Sequence, residues 1–189
     1  MARPKSEDKR KAILDAAWRV FAERGIADSP TSAISKTAGV AEGFLFTYFK
    51  SKEEPMNELY LDFRREFGRR LAELPRPRSM RGRIRQIWDL YLTMGTAQPE
   101  RLRVQSRLRA TGKLFKENEA HNPAILIVVE AAREVVSGSE LRNAPPDYLV
   151  MMMRSQAETA IEYIAAHPEL RDEIWDMGFR ILWKGLAGK

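Results

Sequence analysis

The chain has 189 residues, of which 44% are hydrophobic, and a formal net charge of +6 at pH 7. A chain of this length buries about 70% of the surface that its unfolded form exposes, so it needs neither disulfides nor metals to fold. It contains no cysteine, and its two histidines, His121 and His167, are far apart, with no carboxylates at ligand spacing around them. The sequence therefore gives no support for zinc, thiol or iron–sulfur chemistry, and no cofactor or metal is expected.

The N-terminus, MARPKSEDKRK, is charged and precedes no apolar stretch of signal-peptide length. The longest apolar run, from Ala124 to Ala132, is far too short to span a membrane. We therefore expect a cytoplasmic protein with no membrane partner. The excess of positive charge favours a polyanionic partner such as nucleic acid.

Apolar residues recur at three- and four-residue spacing along nearly the whole chain, and no segment alternates with period two for long enough to form a strand. This pattern predicts an all-α fold. About nine helices are expected, at 6–24, 30–38, 42–49, 51–74, 80–97, 99–111, 122–137, 146–166 and 168–186. Prolines near the predicted starts of the later helices support these divisions, because proline is tolerated in the first turn of a helix.

A long first helix is followed closely by two short ones. Gly25 is expected to end the first helix, and Ser29-Pro30 to begin the second, with Ser29 as its N-cap. Ser51 and Glu54 match the capping pattern S-x-x-E at the start of the long fourth helix. Two short helices joined by a turn that contains Gly39, behind a longer helix, form a helix-turn-helix.

The second short helix of such a unit enters the major groove of DNA. One set of apolar residues has the spacing to hold the helix pair together: Ile34, Ala38, Val40, Leu45 and Phe49. The helical period then leaves a second set pointing outward: Glu42, Gly43, Phe44, Thr47 and Tyr48. These outward residues are the candidate base readers.

The run from Ser29 to Glu54 resembles the signature of the TetR family of transcriptional regulators. The positions in register with it are Ile34, the turn Ala38-Gly39-Val40, Gly43, Leu45, Phe49 and Lys52-Glu53. The resemblance implies a homodimer whose recognition helices read adjacent major grooves, with backbone contacts from Thr31, Ser32 and Lys52. Lys50 and Lys52 are candidate phosphate contacts, and a solvated surface is the alternative explanation of these two lysines.

Three aromatic residues depart from the family pattern. Phe46 stands where a tyrosine commonly reaches a phosphate, Phe44 replaces a frequent threonine, and Tyr48 replaces a frequent histidine. Phe44 could pack on a thymine methyl group, and Tyr48 could donate its hydroxyl to a phosphate or a base edge. All three could instead be core aromatics of a helical hairpin.

The last two predicted helices carry apolar residues on two adjacent faces, which predicts a two-fold dimer interface. The expected contact residues are Met153, Ala157, Ala160, Ile161, Ile164, Ile174, Gly178, Ile181 and Leu182. Burial of both faces within one subunit is the alternative. The helices that enclose an effector pocket in the family carry the candidate lining residues Trp88, Tyr91, Met94, Leu108, Phe115 and Met152. Their apolar character suits a partly apolar ligand, and plain core packing is the alternative.

The predicted organisation is a DNA-binding helix-turn-helix domain over 1–50, extended to about 6–66 by the linking helix, and a C-terminal effector-binding and dimerisation domain over 51–189. The predicted function is a ligand-responsive repressor that acts as a homodimer on a near-palindromic operator. A general DNA-binding or protein-docking module is the first alternative. A helical enzyme is a remote one, because the sequence shows no catalytic motif of paired carboxylates, no phosphate-binding glycine loop and no signature of a nucleophile with a base.

Overall fold

The computed structural model describes residues 5–112 and 123–188, and within these ranges the regular structure is helical throughout. The N-terminal helices are α1 (Lys5–Arg24), α2 (Thr31–Ala38), α3 (Glu42–Tyr48) and α4 (Glu53–Glu73). They are followed by α5 (Met80–Ala97), α6 (Pro99–Ala110), α7 (Pro123–Val136), α8 (Pro146–Ala166) and α9 (Arg171–Ala187). Two short 3₁₀ helices, Glu140–Asn143 and Pro168–Leu170, precede α8 and α9. The predicted all-α fold is confirmed by these described residues.

Two helix starts differ from the sequence prediction. Ser29 does not cap α2; its buried hydroxyl donates to the backbone oxygens of Val20 and Gly25 at the end of α1, and Pro30 is the N-cap. A serine placed against the exposed carbonyls of a helix end finds acceptors there, which removes it from the cap of the next helix. At α4, Glu54 accepts the backbone N–H of Lys50 at 2.8 Å, so its carboxylate reaches back one residue beyond Ser51.

The chain divides into two compact units. The first contains α1 to α3, α4 as far as Phe63, and α6 from Glu100. The second contains α4 from Arg64, α5, and α7 to α9. The division falls inside α4, so one helix contributes residues to both units.

Helix α6 is held to the first unit by polar contacts as well as by burial. The buried Gln105 side chain donates to the backbone oxygen of Leu59 at 2.6 Å, and Arg101 pairs with Asp62 at 3.2 Å. Leu108 is fully buried in the apolar cluster of this unit. Leu108 was predicted to line an effector pocket, and the structure instead places it in the core around the helix-turn-helix.

The second unit is built on contacts of α5 and α8 with their neighbours. Trp88 of α5 is almost fully buried and donates its indole N–H to the backbone oxygen of Trp175 at 3.0 Å. The indole of Trp175 in turn donates to Asp89 at 2.6 Å, and Arg85 pairs with both Asp89 and Asp176 at 2.8 Å. These bonds fix α9 on α5 in one register.

Most of the residues predicted for the dimer interface lie in the interior of this unit. The buried ones are Met153, Ala157, Ala160, Ile161, Ile164 and Leu182. Ile174 and Gly178 are half-buried, and Ile181 is 58% exposed. A side chain that its own unit has already covered has no surface to offer a partner, so for these six residues the interface prediction is corrected to core packing.

The other candidate pocket residues differ in burial. Trp88 and Met94 are buried, and Tyr91 is half-buried with its hydroxyl 2.9 Å from Glu158 Oε1. Met152 is 37% exposed on α8, and Phe115 lies outside the described residues. The same ranges contain no helix that is long and apolar enough to cross a membrane.

Candidate nucleic-acid interface

One apolar cluster determines where α3 lies in the first unit. Phe21 of α1, Ile34 of α2, and Leu45 and Phe49 at α3 are all less than 2% exposed. Burying each such side chain stabilises the fold by about 1.5–3 kcal/mol. Because Leu45 and Phe49 lie one helical turn apart, their burial fixes which side of α3 faces inward.

The turn between α2 and α3 depends on Gly39. Its φ of 68° lies in the left-handed region, where a side chain is strained. The N–H of Gly39 donates to Lys36 O at 3.2 Å, and the N–H of Val40 donates to Ser35 O at 3.0 Å. This glycine cap ends α2 and lets α3 begin three residues later.

Three of the five predicted base readers, Glu42, Gly43 and Thr47, lie on the exposed side of α3, together with Phe46. Glu42, Gly43, Phe46 and Thr47 are exposed, with Phe46 at 48%. A Cβ added at Gly43 would meet nothing within 4 Å, so this part of the helix backbone is open to close approach. The structure therefore brings these residues together on one surface of the unit.

Two half-buried aromatics complete this surface. The rings of Phe44 and Tyr48 meet edge to face, with their centroids 5.2 Å apart and their planes at 61°. Neither ring belongs to the deepest part of the core, which Leu45 and Phe49 fill. Phe44 and Tyr48 therefore support each other at the margin between the core and the surface.

The predicted backbone contacts flank α3. Thr31 and Ser32 lie at the start of α2, and the Thr31 hydroxyl donates to the Glu42 carboxylate at 3.3 Å. Lys50 is exposed, whereas Lys52 is half-buried and donates its ammonium to Ile26 O at 2.6 Å. Lys52 therefore ties the start of α4 to the loop that follows α1, a structural role that the sequence did not reveal.

Two cations of α1 also lie against this region. The Lys9 ammonium is 4.6 Å from the centroid of the Phe44 ring. The Arg10 guanidinium is 5.2 Å from the Phe49 ring and pairs with Glu58 at 2.9 Å. Sequence reasoning missed both, because α1 begins with a dense mixture of charges in which no single cation stands out, and only the fold brings Lys9 to α3.

The first unit contains a known sequence pattern. Residues 13–59 match the family model described as bacterial regulatory proteins, tetR family. The fatty acid metabolism regulator protein of Bacillus subtilis is 42% identical over 65 residues, which are 34% of this chain and 34% of that protein. The match thus spans about a third of that relative's length.

Two solved structures extend the likeness over nearly the whole chain. A tetR family transcription regulator from Shewanella sp. PV-4 superimposes with a TM-score of 0.81 at 25% identity, covering 94% of this chain and 97% of that one. FadR from Bacillus subtilis, solved in complex with stearoyl-CoA, gives a TM-score of 0.66 at 21% identity, covering 95% and 99%. The latter likeness concerns the fold alone.

These observations define a helix-turn-helix protein with a second helical unit. Residues 13–59 of the first unit match the tetR family of bacterial regulatory proteins, and the fold of the described residues resembles that of a solved tetR family regulator.

Proposed function

We propose that the chain is a ligand-responsive transcriptional repressor that binds a near-palindromic operator as a homodimer. The observation that carries the proposal is the outward surface of α3, held in place by buried Leu45 and Phe49 within the segment that matches the tetR family model. Residues 1–50, extended to about 6–66 by the linking helix, would bind DNA. Residues 51–189 would bind the effector and the second subunit.

In this proposal the contacts with DNA divide into two kinds. Base edges are read by side chains of α3, with exposed Thr47 and half-buried Tyr48 as the main hydrogen-bonding groups. Thr31, Ser32, Lys50 and Lys52 position the helix on the phosphates. The bond between Thr31 and Glu42 orients the first residue of α3 for this task.

The dimer contact in this proposal lies on the exposed face of α8 and α9. Tyr148 is 54% exposed, and Met151, Met152 and Tyr163 share its face of α8, since they follow at helical spacing. Ile181 adds an exposed apolar side chain on α9. Exposed aromatic and methionine side chains are typical of interfaces between subunits. The second subunit matters because two joined reading heads bind roughly 10²–10⁴ times more tightly than one.

An effector site is proposed at a cleft of about 300 Å³ in the second unit. Its lining is mainly apolar and also contains two cations and one carboxylate, and one of the cations, Arg83, pairs with Glu134 at 2.8 Å. The lining residues are Leu71, Ala72, Leu74, Arg76, Arg83, Gln86, Ile87, Ile127, Glu130 and Ala131. This combination suits a partly apolar ligand with an anionic group. Effector binding would weaken operator binding through α4, which contributes residues to both units. Such coupling requires two states of the protein with different affinities for the ligand.

The proposal includes a cytoplasmic location, at the nucleoid when the protein is bound to DNA, and no enzymatic activity. The family matches are regulators of transcription, which supports this assignment over the helical-enzyme alternative. The alternative of a general DNA-binding module makes a different prediction, namely binding without a preferred sequence.

The decisive experiment is selection of bound fragments from genomic DNA, followed by footprinting of the best fragment. We expect a protected site with dyad symmetry and half-sites about one helical turn apart, since two symmetric reading helices require a symmetric operator. A best-bound site without dyad symmetry would contradict the homodimer on a palindrome. Equal recovery of all fragments would favour the general binding module.

The effector proposal is tested by release of that operator. Stearoyl-CoA is the first probe, because it combines an apolar chain with anionic phosphates and was bound by FadR from Bacillus subtilis. We expect it to lower operator affinity, and we expect Ala72→Trp, which fills the cleft, to reduce this response without changing affinity in its absence. Arg133→Trp on α7, outside the cleft lining, is the matched control. An unchanged response in Ala72→Trp places the effector site elsewhere.

A further inference from the structure

The Lys9 ammonium lies over an aromatic ring of α3. The Lys9 side chain is exposed on α1, and its ammonium is 4.6 Å from the centroid of the Phe44 ring on α3. Phe44 is itself held by the edge contact with Tyr48. A cation over an aromatic face at this distance is attracted by the ring's quadrupole.

This arrangement differs from that of the neighbouring lysine. Lys11 lies two residues further along α1, and its ammonium pairs with Asp15 at 2.7 Å. A carboxylate neutralises the charge of a lysine and accepts hydrogen bonds from it. An aromatic ring has no net charge and accepts such bonds only weakly. The Phe44 ring therefore orients the Lys9 ammonium while leaving its positive charge uncompensated at the surface that α3 presents.

We propose that Lys9 is a phosphate-contacting residue of the DNA-binding surface, and that Phe44 positions this cation rather than reading a base. This inference rests on the proposed operator binding. A lysine side chain is flexible, and holding it close to its bound position lowers the entropy lost when it meets a phosphate. Phe44, which the sequence presented as a candidate base reader, thus acts through Lys9.

The first test measures operator affinity against salt concentration for the parent, Lys9→Ala and Lys11→Ala. Losing one phosphate contact lowers the slope of log affinity against log salt by about one. Between 50 and 200 mM salt, the parent should therefore lose about fourfold more affinity than Lys9→Ala. Lys11→Ala removes the same charge from the same helix and should keep a slope closer to that of the parent. Equal slopes for the parent and Lys9→Ala would overturn the assignment of Lys9.

The second test addresses Phe44. Phe44→Leu keeps an apolar side chain but removes the ring, so it should weaken binding to all members of a site library equally. The effect of Lys9→Ala should also be smaller in the Phe44→Leu background than in the parent. A change in the preferred bases in Phe44→Leu, or full additivity of the two substitutions, would overturn the positioning role.

The outcomes separate this inference from the proposed function. If the parent protein shows no preferred sequence, the operator proposal fails. If the parent selects an operator and Lys9→Ala keeps its full salt slope, only the inference about Lys9 fails.

Discussion

Helices α3 and α8 both present aromatic or methionine side chains to solvent, but they differ in what lies behind them. Helix α3 has one buried residue, Leu45, and its other apolar side chains remain at or near the surface. Helix α8 has six buried residues along one stripe, and a second apolar stripe that includes Tyr148 and Met151 is exposed. Only one side of α3 can face the interior, whereas α8 has two apolar stripes, either of which could be the buried one.

This difference explains why the sequence predicts the inward side of α3 but does not predict which apolar stripe of α8 is buried. On α3, Leu45 and Phe49 are the pair whose spacing matches the core of the helix-turn-helix, so the outward residues followed by exclusion. On α8, periodicity identifies both apolar stripes but does not say which one faces the subunit's own interior. Small residues such as Ala157 and Ala160 permit close helix packing within a subunit as well as between subunits, and here they serve the interior.

The largest expected effect separates the two stripes of α8. Ala160 is 6% exposed, so Ala160→Arg places a charge in the interior and should cost about 4 kcal/mol or more, enough to unfold the second unit. Met151→Arg changes an exposed side chain and should leave the helices intact but disfavour the dimer. Circular dichroism and mass in solution, measured on both variants, distinguish these outcomes.

Leu126→Arg on α7 is the matched control for Met151→Arg. Leu126 is also a large exposed apolar residue, but it lies outside the proposed contact face of α8 and α9. It should remain dimeric. If Met151→Arg is folded and dimeric, the dimer contact does not lie on this face. If Ala160→Arg is folded and monomeric, the interface lies on the stripe predicted from the sequence.

The second prediction concerns close packing in the second unit. A Cβ built on Gly178 would lie 2.7 Å from Cζ2 and 2.9 Å from Cη2 of Trp88. The Trp88 ring is buried and held by its bond to Trp175 O, so it has little room to move. Gly178→Ala should therefore destabilise the protein by about 1–3 kcal/mol, measured by denaturant unfolding. Gly185→Ala on the same helix, where a Cβ would meet nothing within 4 Å, should cost nothing. Equal stability of the two variants would show that the Trp88 ring moves aside.

The sequence predicted the helices well because proline and glycine mark most of their ends, as at Gly39 and Pro146. It also predicted the exposure of Glu42, Gly43 and Thr47 on α3, but not the partial burial of Phe44 and Tyr48. It did not predict that Leu108 of α6 joins the core of the first unit, because a buried leucine has the same periodicity whichever neighbour covers it. The contact between Lys9 and Phe44 spans 35 positions of the chain and likewise depends on the fold.

The third prediction concerns Gly43 on α3, which has open space around it where Gly178 is closely packed. Gly43→Ala adds a methyl group that meets nothing within 4 Å in the protein, so the variant should fold at least as stably as the parent. The gain should be about 0.5 kcal/mol, the low end of the usual range, since Gly43 lies in the first turn of its helix. If DNA approaches the backbone at this residue, operator affinity should fall about tenfold, equivalent to about 1.4 kcal/mol. Unchanged affinity would place the DNA backbone and bases away from Gly43.

The smallest expected effect concerns an ion-pair cluster on α4, in the second unit. Hydrogen bonds from Arg69 and then from Arg70 lower the pKa of Glu66 from its ordinary value of 4.5 to about 2. The distances are 2.9 Å from Arg69 and 2.6 Å from Arg70 to Glu66 Oε1. The two arginines are exposed and Glu66 is about one-third exposed, so solvent screening keeps the contribution of this cluster to stability small.

Because the folded state lowers this pKa, the unfolded chain takes up the proton first as the pH falls. The stabilisation by Glu66 is therefore fully present above about pH 4.5 and is lost between pH 4.5 and 2. We expect the difference in unfolding free energy between the parent and Glu66→Gln to be small and constant at neutral pH, and to shrink through this window. It should also shrink in high salt, because the pairs are exposed. A difference that stays constant down to pH 2 would show that Glu66 acts through packing along α4 rather than through its charge.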